Sequence, residues 1–416
     1  MNKSIILFLF TICSFILTQK AFAQLDTLQR TVPERKNSPE QMKKPYVILI
    51  SADGFRWDYA EKYQAKNLLE FANSGVKAES MLPSFPASTV ANHFTIVSGL
   101  YPSHAGIVGN TFYDPARKEM FKGSDGSWFP KEPIWVSAEK QGMLTASLYY
   151  INMQAPIQGV RSSYYFAPHP TRKISSEDRV KVIKDWLTLP AEKRPHFIAS
   201  HLPEADHAGH RHGPDSKETE ETVHEIDRLM GMLTAAVRET GLPVNIIFVS
   251  DHGMFNVDRE HPLSIPSSIS KEKFVIISQG NYVNLHAKDK ADILPMYEAL
   301  KAEKVPGYRV SLKKDLPANM RFGPSDDTYN RVGDILLLAD FPKVFSPKPP
   351  HGAHGFSPYE HKDIHATFFA WGPAFKPQTK IPAFENIEVY DLMTKILGIT
   401  AQPNDGKGIL AKQILK

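Results

Sequence analysis

Three apolar runs of this chain each lead into an aspartate. YVILIS (46–51) runs into Asp53-Gly54, HFIASHLPEA (196–205) into Asp206, and NIIFVS (245–250) into Asp251-His252-Gly253. One Asp after such a run is ordinarily a cap or turn residue. Ligands of open α/β sheets bind beyond the carboxyl ends of the strands, and three carboxylates delivered there repel one another unless a cation lies between them. Imidazoles are at hand. His252 adjoins Asp251, and His210 lies one helical turn after Asp206, so both can face one ion. The glycine-rich HGAHGF adds His351 and His354, while His207 and His212 fall off the Asp206–His210 face and read as solvated or supporting groups.

Asp53, Asp206, His210, Asp251, His252 and one C-terminal histidine form an oxygen-plus-imidazole set without sulfur. That donor set suits zinc in an open, catalytic geometry. Six ligands exceed one tetrahedral ion and suit two; two ions ~3.5–4 Å apart clamp the attacking and leaving oxygens of a phosphoryl group. In FPASTVANHFTIVSGLYPSHAGIVGN (85–110), Ser88 and Thr89 precede an apolar helical stretch, and a glycine-rich loop ends in Asn110. Capping is the ordinary use of such hydroxyls. Beside a metal cluster, Thr89 reads instead as a nucleophile, its pKa lowered by the ion and its anion favoured by the helix N-terminus.

The elements that must position these residues are legible as well. Further apolar runs at 144–150 and 365–371 suit buried strands, and helical patterns lie at 177–187 and 221–237. Strands alternating with helices predict an α/β fold, a mostly parallel sheet with helices on both faces. From about 255 to 350 the rhythm changes to NYVNLHA, a helix near 288–303, YRVSL and VGDILLLA. A smaller inserted α+β subdomain or sheet extension is expected there, within a catalytic domain spanning 45–416. Residues 1–23 read as a secretory signal peptide: an early Lys3, an apolar stretch, and Ala21-Phe22-Ala23 before Gln24. The stretch is short for a membrane span and is broken by Gln19 and Lys20. A periplasmic or secreted mature chain without a transmembrane segment follows as the expectation. Residues 24–44 are polar with two prolines and read as a flexible lead-in. The single cysteine, Cys13, falls in the signal peptide, which excludes disulfides and thiolate ligands from the mature chain. Among 416 residues, 49 Lys plus Arg balance 45 Asp plus Glu, so charge gives no argument for nucleic-acid binding.

In their order, VILISADGFRWDY, FPASTVANHFTIVSGLYPSHAGIVGN, EADHAGHRHGP, VSDHGM, AHGF and ATFFAWGPAFK resemble the nucleotide pyrophosphatase/phosphodiesterases of the alkaline phosphatase superfamily, over nearly the whole mature chain. The resemblance implies one zinc held by Asp206, His210 and His354, and another by Asp53, Asp251 and His252, with Thr89 touching both. The family's nucleophile lies four residues before the histidine of an Asn-His pair; here Asn92-His93 selects Thr89 over Ser88. Asn110 matches the asparagine that holds a phosphoryl oxygen. The implied activity is hydrolysis of phosphodiester or pyrophosphate bonds in small molecules, nucleotides among them, through a phosphothreonine intermediate.

Two departures concern the leaving-group pocket. Val90 stands where nucleotide-cleaving relatives often carry an aromatic residue, with Ala91 where proline is common. Their Trp-Pro-Gly-Ser loop reads Tyr150-Ile151-Asn152-Met153 here, leaving Tyr150, Tyr164 and Tyr165 as the candidates for stacking on a base. The alternatives are a phosphomonoesterase or phosphonate hydrolase on the same scaffold, a sulfatase, and a non-catalytic binding protein. No Arg lies between 80 and 112 to balance a monoester dianion, the Cys/Ser-x-Pro-x-Arg pattern of sulfatases is missing, and neither a ligand nor the nucleophile has been lost.

Overall fold

A computed structural model describes residues 29–166 and 174–416. The expected signal peptide lies outside the described residues. The first half of the chain supplies β1 (Gln29–Thr31), β2 (Tyr46–Ala52), α1 (Lys66–Ser74), β3 (Val76–Ala78), α2 (Thr89–Ser98), β4 (Thr145–Leu148) and β5 (Tyr164–Phe166). It continues through α3 (Ser176–Leu187), β6 (Phe197–Leu202), α4 (Glu204–His212), α5 (Lys217–Glu239) and β7 (Val244–Val249). An excursion follows, with β8 (Phe274–Ser278), β9 (Tyr282–Ala287), α6 (Ile293–Glu303), β10 (Tyr308–Leu312) and β11 (Ile335–Ala339). The chain then returns as β12 (Phe368–Trp371), β13 (Thr379–Ile381) and α7 (Glu388–Leu397).

Nine strands form the central sheet in the order β1-β5-β4-β6-β2-β7-β12-β3-β13. From β5 to β7 every neighbour is parallel; β1 and β12 run against the rest. Every residue of β2, β6 and β7 is buried, as a sheet covered on both faces requires. Alternation along β2 sorts its side chains. Val47 and Leu49 pack with Phe94 and Val97 of α2 and Leu392 of α7. Tyr46, Ile48 and Ile50 pack with Leu68 of α1, Ile183 of α3 and Leu233 of α5. Each such aliphatic side chain contributes about 2 kcal/mol through burial, which fixes the register that brings Ser51 level with His201 and Val249.

Residues 29–44 are not the flexible lead-in that their polar composition suggested. β1 pairs antiparallel with β5, and Asn37 acts as a clasp: its Nδ2 donates to Ala191 O (2.9 Å) and Arg194 O (2.6 Å), while its Oδ1 accepts from Leu144 N (2.8 Å). The polarity of β1 reflects an exposed edge strand, whose backbone is ordered by ladder bonds rather than by side-chain burial.

The excursion forms its own antiparallel sheet in the order β8-β9-β11-β10. Val283, Leu285 and Leu337 on one face pack with Leu300 of α6. Tyr282, Leu336 and Leu338, of the opposite parity, join the core of the main body. Among the described residues, no helix is long and apolar enough to cross a membrane.

Candidate active site

Asp53 and Asp251 stand just past the ends of the neighbouring strands β2 and β7, and Asp206 sits in the first turn of α4, which follows β6. The close approach of α4 to the end of β2 depends on Gly54. Its φ is +67°, and a Cβ there would lie 2.9 Å from the Asp206 Cα. Asp53 and Asp251 are 3% and 0% exposed. In each of the three aspartates one buried oxygen, Asp53 Oδ1, Asp206 Oδ1 and Asp251 Oδ2, accepts no hydrogen bond. Burying such oxygens is costly unless a cation or proton answers them.

Three imidazoles face these oxygens. His210 Nδ1 lies 2.7 Å from Gly352 O, His252 Nδ1 2.9 Å from Gly253 O, and His354 Nδ1 2.8 Å from Ala87 O. A carbonyl partner assigns the proton to Nδ1 and leaves the Nε2 lone pair free to ligate. His252 Nε2 stands 3.1 Å from Asp251 Oδ2 and 3.4 Å from Asp53 Oδ1. From Asp206 Oδ1, His210 Nε2 is 3.2 Å away and His354 Nε2 3.7 Å. Lone pairs thus point at lone pairs across a buried gap, the arrangement a divalent cation resolves. Two triads, Asp53–Asp251–His252 and Asp206–His252–His354, each keep their ligand atoms within 4.8 Å of one another. His210 joins through Asp206. His351 is exposed and pairs with Arg259 at 3.2 Å, outside the cluster.

Crowding of these ionisable groups shifts them in opposed directions. Burial, with Asp251 and Asp206 adding to it, raises the Asp53 carboxyl well above its usual range. Burial opposes charging His252, yet Asp251, Asp53 and Asp206 hold its pKa up at about 10. Burial and the neighbouring His252 push His354 down to about 3. Strong opposed shifts in one cleft are a pattern that active sites share with buried ion-pair networks, so the geometry of the cluster has to carry the assignment.

Thr89 is the first residue of α2, with its Oγ1 3.4 Å from His252 Nε2. Ser88 occupies the N-cap position in extended conformation, but its buried hydroxyl caps nothing and has no partner. The loop before α2 is held by Asn92 instead, whose Nδ2 donates to Pro86 O (2.9 Å) and Ser88 O (3.1 Å). Asn110 arrives beside Thr89: Val90 N donates to its Oδ1 at 2.8 Å, so the remaining amide face is a donor.

Sequence reasoning missed a second layer. His93, fully buried, accepts from Ser51 Oγ at Nε2 (2.9 Å) and donates from Nδ1 to Thr89 O (2.8 Å), with Asp251 Oδ2 3.3 Å away. His201 Nε2 meets Asp53 Oδ2 at 2.9 Å. Asp53, His93 and His201 cluster closely enough for a metal, but His93 has both nitrogens engaged and serves as support. A histidine near the carboxyl end of an otherwise apolar strand, as in FIASHL, was the available signal.

The proposed stacking residues are not at the cleft. Tyr150 is fully buried under α2, its hydroxyl donating to His93 O (3.1 Å). Tyr164 is buried in β5 and donates to Lys193 O (2.8 Å). Tyr165 pairs with Arg30 of β1 and lies level with Ser147 of β4, which through Ala199 is level with Leu49 of β2, short of Asp53. Val90, half-buried, packs against the main core.

An α/β protein with a carboxylate–imidazole cluster beyond its strand ends, and a helix-borne hydroxyl beside it, is the class these features define. Residues 47–358 match the family described as type I phosphodiesterase/nucleotide pyrophosphatase, and the chain belongs to that family. It is similar to mouse ectonucleotide pyrophosphatase/phosphodiesterase family member 1, at 30% identity over 91% of this chain. It spans only 43% of that relative's length. It is also similar to a bis(5'-adenosyl)-triphosphatase of Xenopus laevis, at 31% identity over 90% of this chain and 84% of the relative. Among solved structures, murine ectonucleotide pyrophosphatase/phosphodiesterase 5 superposes with a TM-score of 0.81 at 26% identity, covering 89% of this chain and 100% of its own.

Proposed function

We propose that the chain is an exported two-zinc hydrolase of phosphodiester or pyrophosphate bonds in small molecules, nucleotides among them. One observation carries this reading: three carboxylates, each with a buried and unanswered oxygen, face three imidazole Nε2 atoms, and Thr89 Oγ1 stands 3.4 Å from one of these. Asp206, His210 and His354 would hold one ion and Asp53, Asp251 and His252 the other, with Thr89 reaching both. Zinc, when bound, supplies the positive charge that lowers the pKa of the Thr89 hydroxyl and of the hydrolytic water and offsets charge on the phosphoryl oxygens.

Thr89 Oγ attacks phosphorus in line, its proton having been lost to solvent, and the leaving oxygen departs from the opposite side. Water then attacks the phosphothreonine at phosphorus, restoring the hydroxyl. The N-terminus of α2 favours the Thr89 anion. Asn110, its oxygen engaged by Val90 N–H, donates its amide to a non-bridging phosphoryl oxygen. Two relatives support the reading by name: the Xenopus triphosphatase, and a murine structure described as an inactive threonine-to-alanine variant in complex with AMP. With Val90 after the nucleophile and the three tyrosines elsewhere, discrimination among nucleobases should be weak.

The test is metal analysis of the purified protein with parallel assays on aryl phosphodiesters and monoesters. The nucleophile segment lacks a fixed cation, so the second charge of a monoester is poorly compensated. A kcat/KM at least ~10-fold higher for the diester is expected, a difference of only ~1.4 kcal/mol. A monoester preference would install the phosphatase reading instead. Inactivity of the zinc-loaded chain on both would favour a binding protein. For export, mass spectrometry of the secreted or periplasmic protein should find Gln24 at the N-terminus.

A further inference from the structure

The excursion that carries the inserted sheet reaches three of the loops that carry the site, those leading to Thr89 and Asn110 and the one holding His354. The Tyr282 ring, on β9, packs against Phe85, four residues before Thr89, with centroids 5.7 Å apart. Its hydroxyl donates to Val108 O at 3.2 Å, two residues before Asn110. Burial raises the Tyr282 phenol well above its usual range, so the hydroxyl stays a donor. One residue earlier, Asn281 packs on the backbone next to His354. Gly355 there has φ +110°, and a Cβ would lie 2.4 Å from Asn281 Oδ1, so no side chain fits.

Two more contacts grip the Asn110 loop. Gln279, in the turn between β8 and β9, donates from Nε2 to Thr111 O. Arg331, buried ahead of β11, donates from Nη1 to Gly106 O (2.5 Å) and Trp128 O (3.1 Å), and from Nε to Asp114 Oδ2 (2.9 Å). Three carbonyls spaced along residues 106–111 are therefore answered by side chains of the excursion. In a loop without a ladder, such partners fix the backbone.

We propose that Tyr282, aided by Gln279 and Arg331, is a positioning residue. The inserted sheet sets the spacing between Thr89 and Asn110 and so holds the Asn110 amide on the phosphoryl oxygen. This rests on the reading of Asn110 given above. A displacement of about 1 Å at a substrate-positioning group can cost ~10²-fold in rate; losing one of three holds should cost less.

Tyr282→Phe keeps the ring and removes the one hydroxyl. In the zinc-loaded full chain it should lower kcat on an aryl phosphodiester by ~10-fold and weaken inhibition by inorganic phosphate, with zinc content unchanged. Gln279→Ala, at a half-buried position, should act in the same direction and serves if Tyr282→Phe fails to fold. The discriminating measurement is the double-mutant cycle with Asn110→Ala. If Tyr282 acts through Asn110, adding Tyr282→Phe to Asn110→Ala changes neither kcat nor phosphate inhibition further. An equal loss in both backgrounds overturns the inference and leaves a packing role. A silent Tyr282→Phe beside an impaired Asn110→Ala also overturns it, with the reading of Asn110 intact. A silent Asn110→Ala removes that reading and this inference together.

Discussion

Two layers of histidines lie beneath the cleft, and their hydrogen bonds set them apart. In the upper layer, His210, His252 and His354 each commit Nδ1 to a backbone carbonyl and turn Nε2 towards carboxylate oxygens that have no donor. In the lower layer, His93 has a partner on both nitrogens and His201 meets Asp53 at 2.9 Å. Both layers are rich in imidazole and carboxylate, so composition alone would treat them alike. The difference is between groups left with an unmet need and groups that meet one, and it separates ligands from the residues that aim them.

The sharpest break in that contrast is the nucleophile. Thr89→Ala should lower turnover by roughly 10³-fold or more, with zinc content nearly unchanged because six side-chain ligands remain. Ser88→Ala, which deletes an unpartnered hydroxyl, should stay within a few fold. Equal losses in steady-state assays would put the nucleophile in the wrong place. Next come the two C-terminal histidines. His354→Asn should lose zinc by elemental analysis and activity by ~10²-fold, whereas the exposed His351→Asn should lose neither.

A smaller effect belongs to the lower layer. His201→Leu leaves Asp53 Oδ2 without its donor, and a loss of ~10-fold in activity or zinc affinity is expected, with His201→Gln recovering part of it. A lower-layer loss as large as that of His354→Asn would erase the distinction.

The smallest effect involves a histidine outside both layers. His104 places Nδ1 2.8 Å from Asp405 and Nε2 3.2 Å from Asp326, so both nitrogens donate and its pKa is raised, chiefly by Asp405 against the opposing effect of burial. A raised pKa stabilises the fold fully below the unfolded value of about 6.5 and loses that contribution as pH climbs through the folded value. The melting-temperature gap between the protein and His104→Asn should therefore be widest near pH ~6 and close on alkalinisation. A gap that widens with pH would mean His104 is held neutral.

How much of this could be read from the residues alone follows a physical line. The five apolar runs became strands because burial on both faces leaves a continuous hydrophobic signature, and the aspartates ending three of them converge as expected. Strand direction left no such mark: β12 is as apolar as its neighbours yet runs antiparallel to β7. His201 and His93 were passed over because one sits in a strand and the other on a buried helical face, where a histidine resembles a satisfied core residue. The tyrosines misled for the converse reason. Aromatic rings near a catalytic motif in sequence suggested a platform, but burial commits Tyr150 and Tyr164 to packing, and the register of β5 leaves Tyr165 level with the middle of the sheet. The polar segment before β2 hid an edge strand, because ladder bonds are made by backbone that every residue possesses.

That edge strand has a consequence for the protein in crowded solution. A wide, strongly apolar sheet is a template for adding strands from other molecules wherever an outer strand lies open. Among the described residues both borders are short: β1 and β13 are each three residues long, with Arg30 at the centre of one and Lys380 at the centre of the other. Within the described residues neither border offers a second molecule a long apolar ladder, and each meets an identical border with like charge. The longer and fully buried strands that place the aspartates are thereby shielded from self-association by a few residues at either margin.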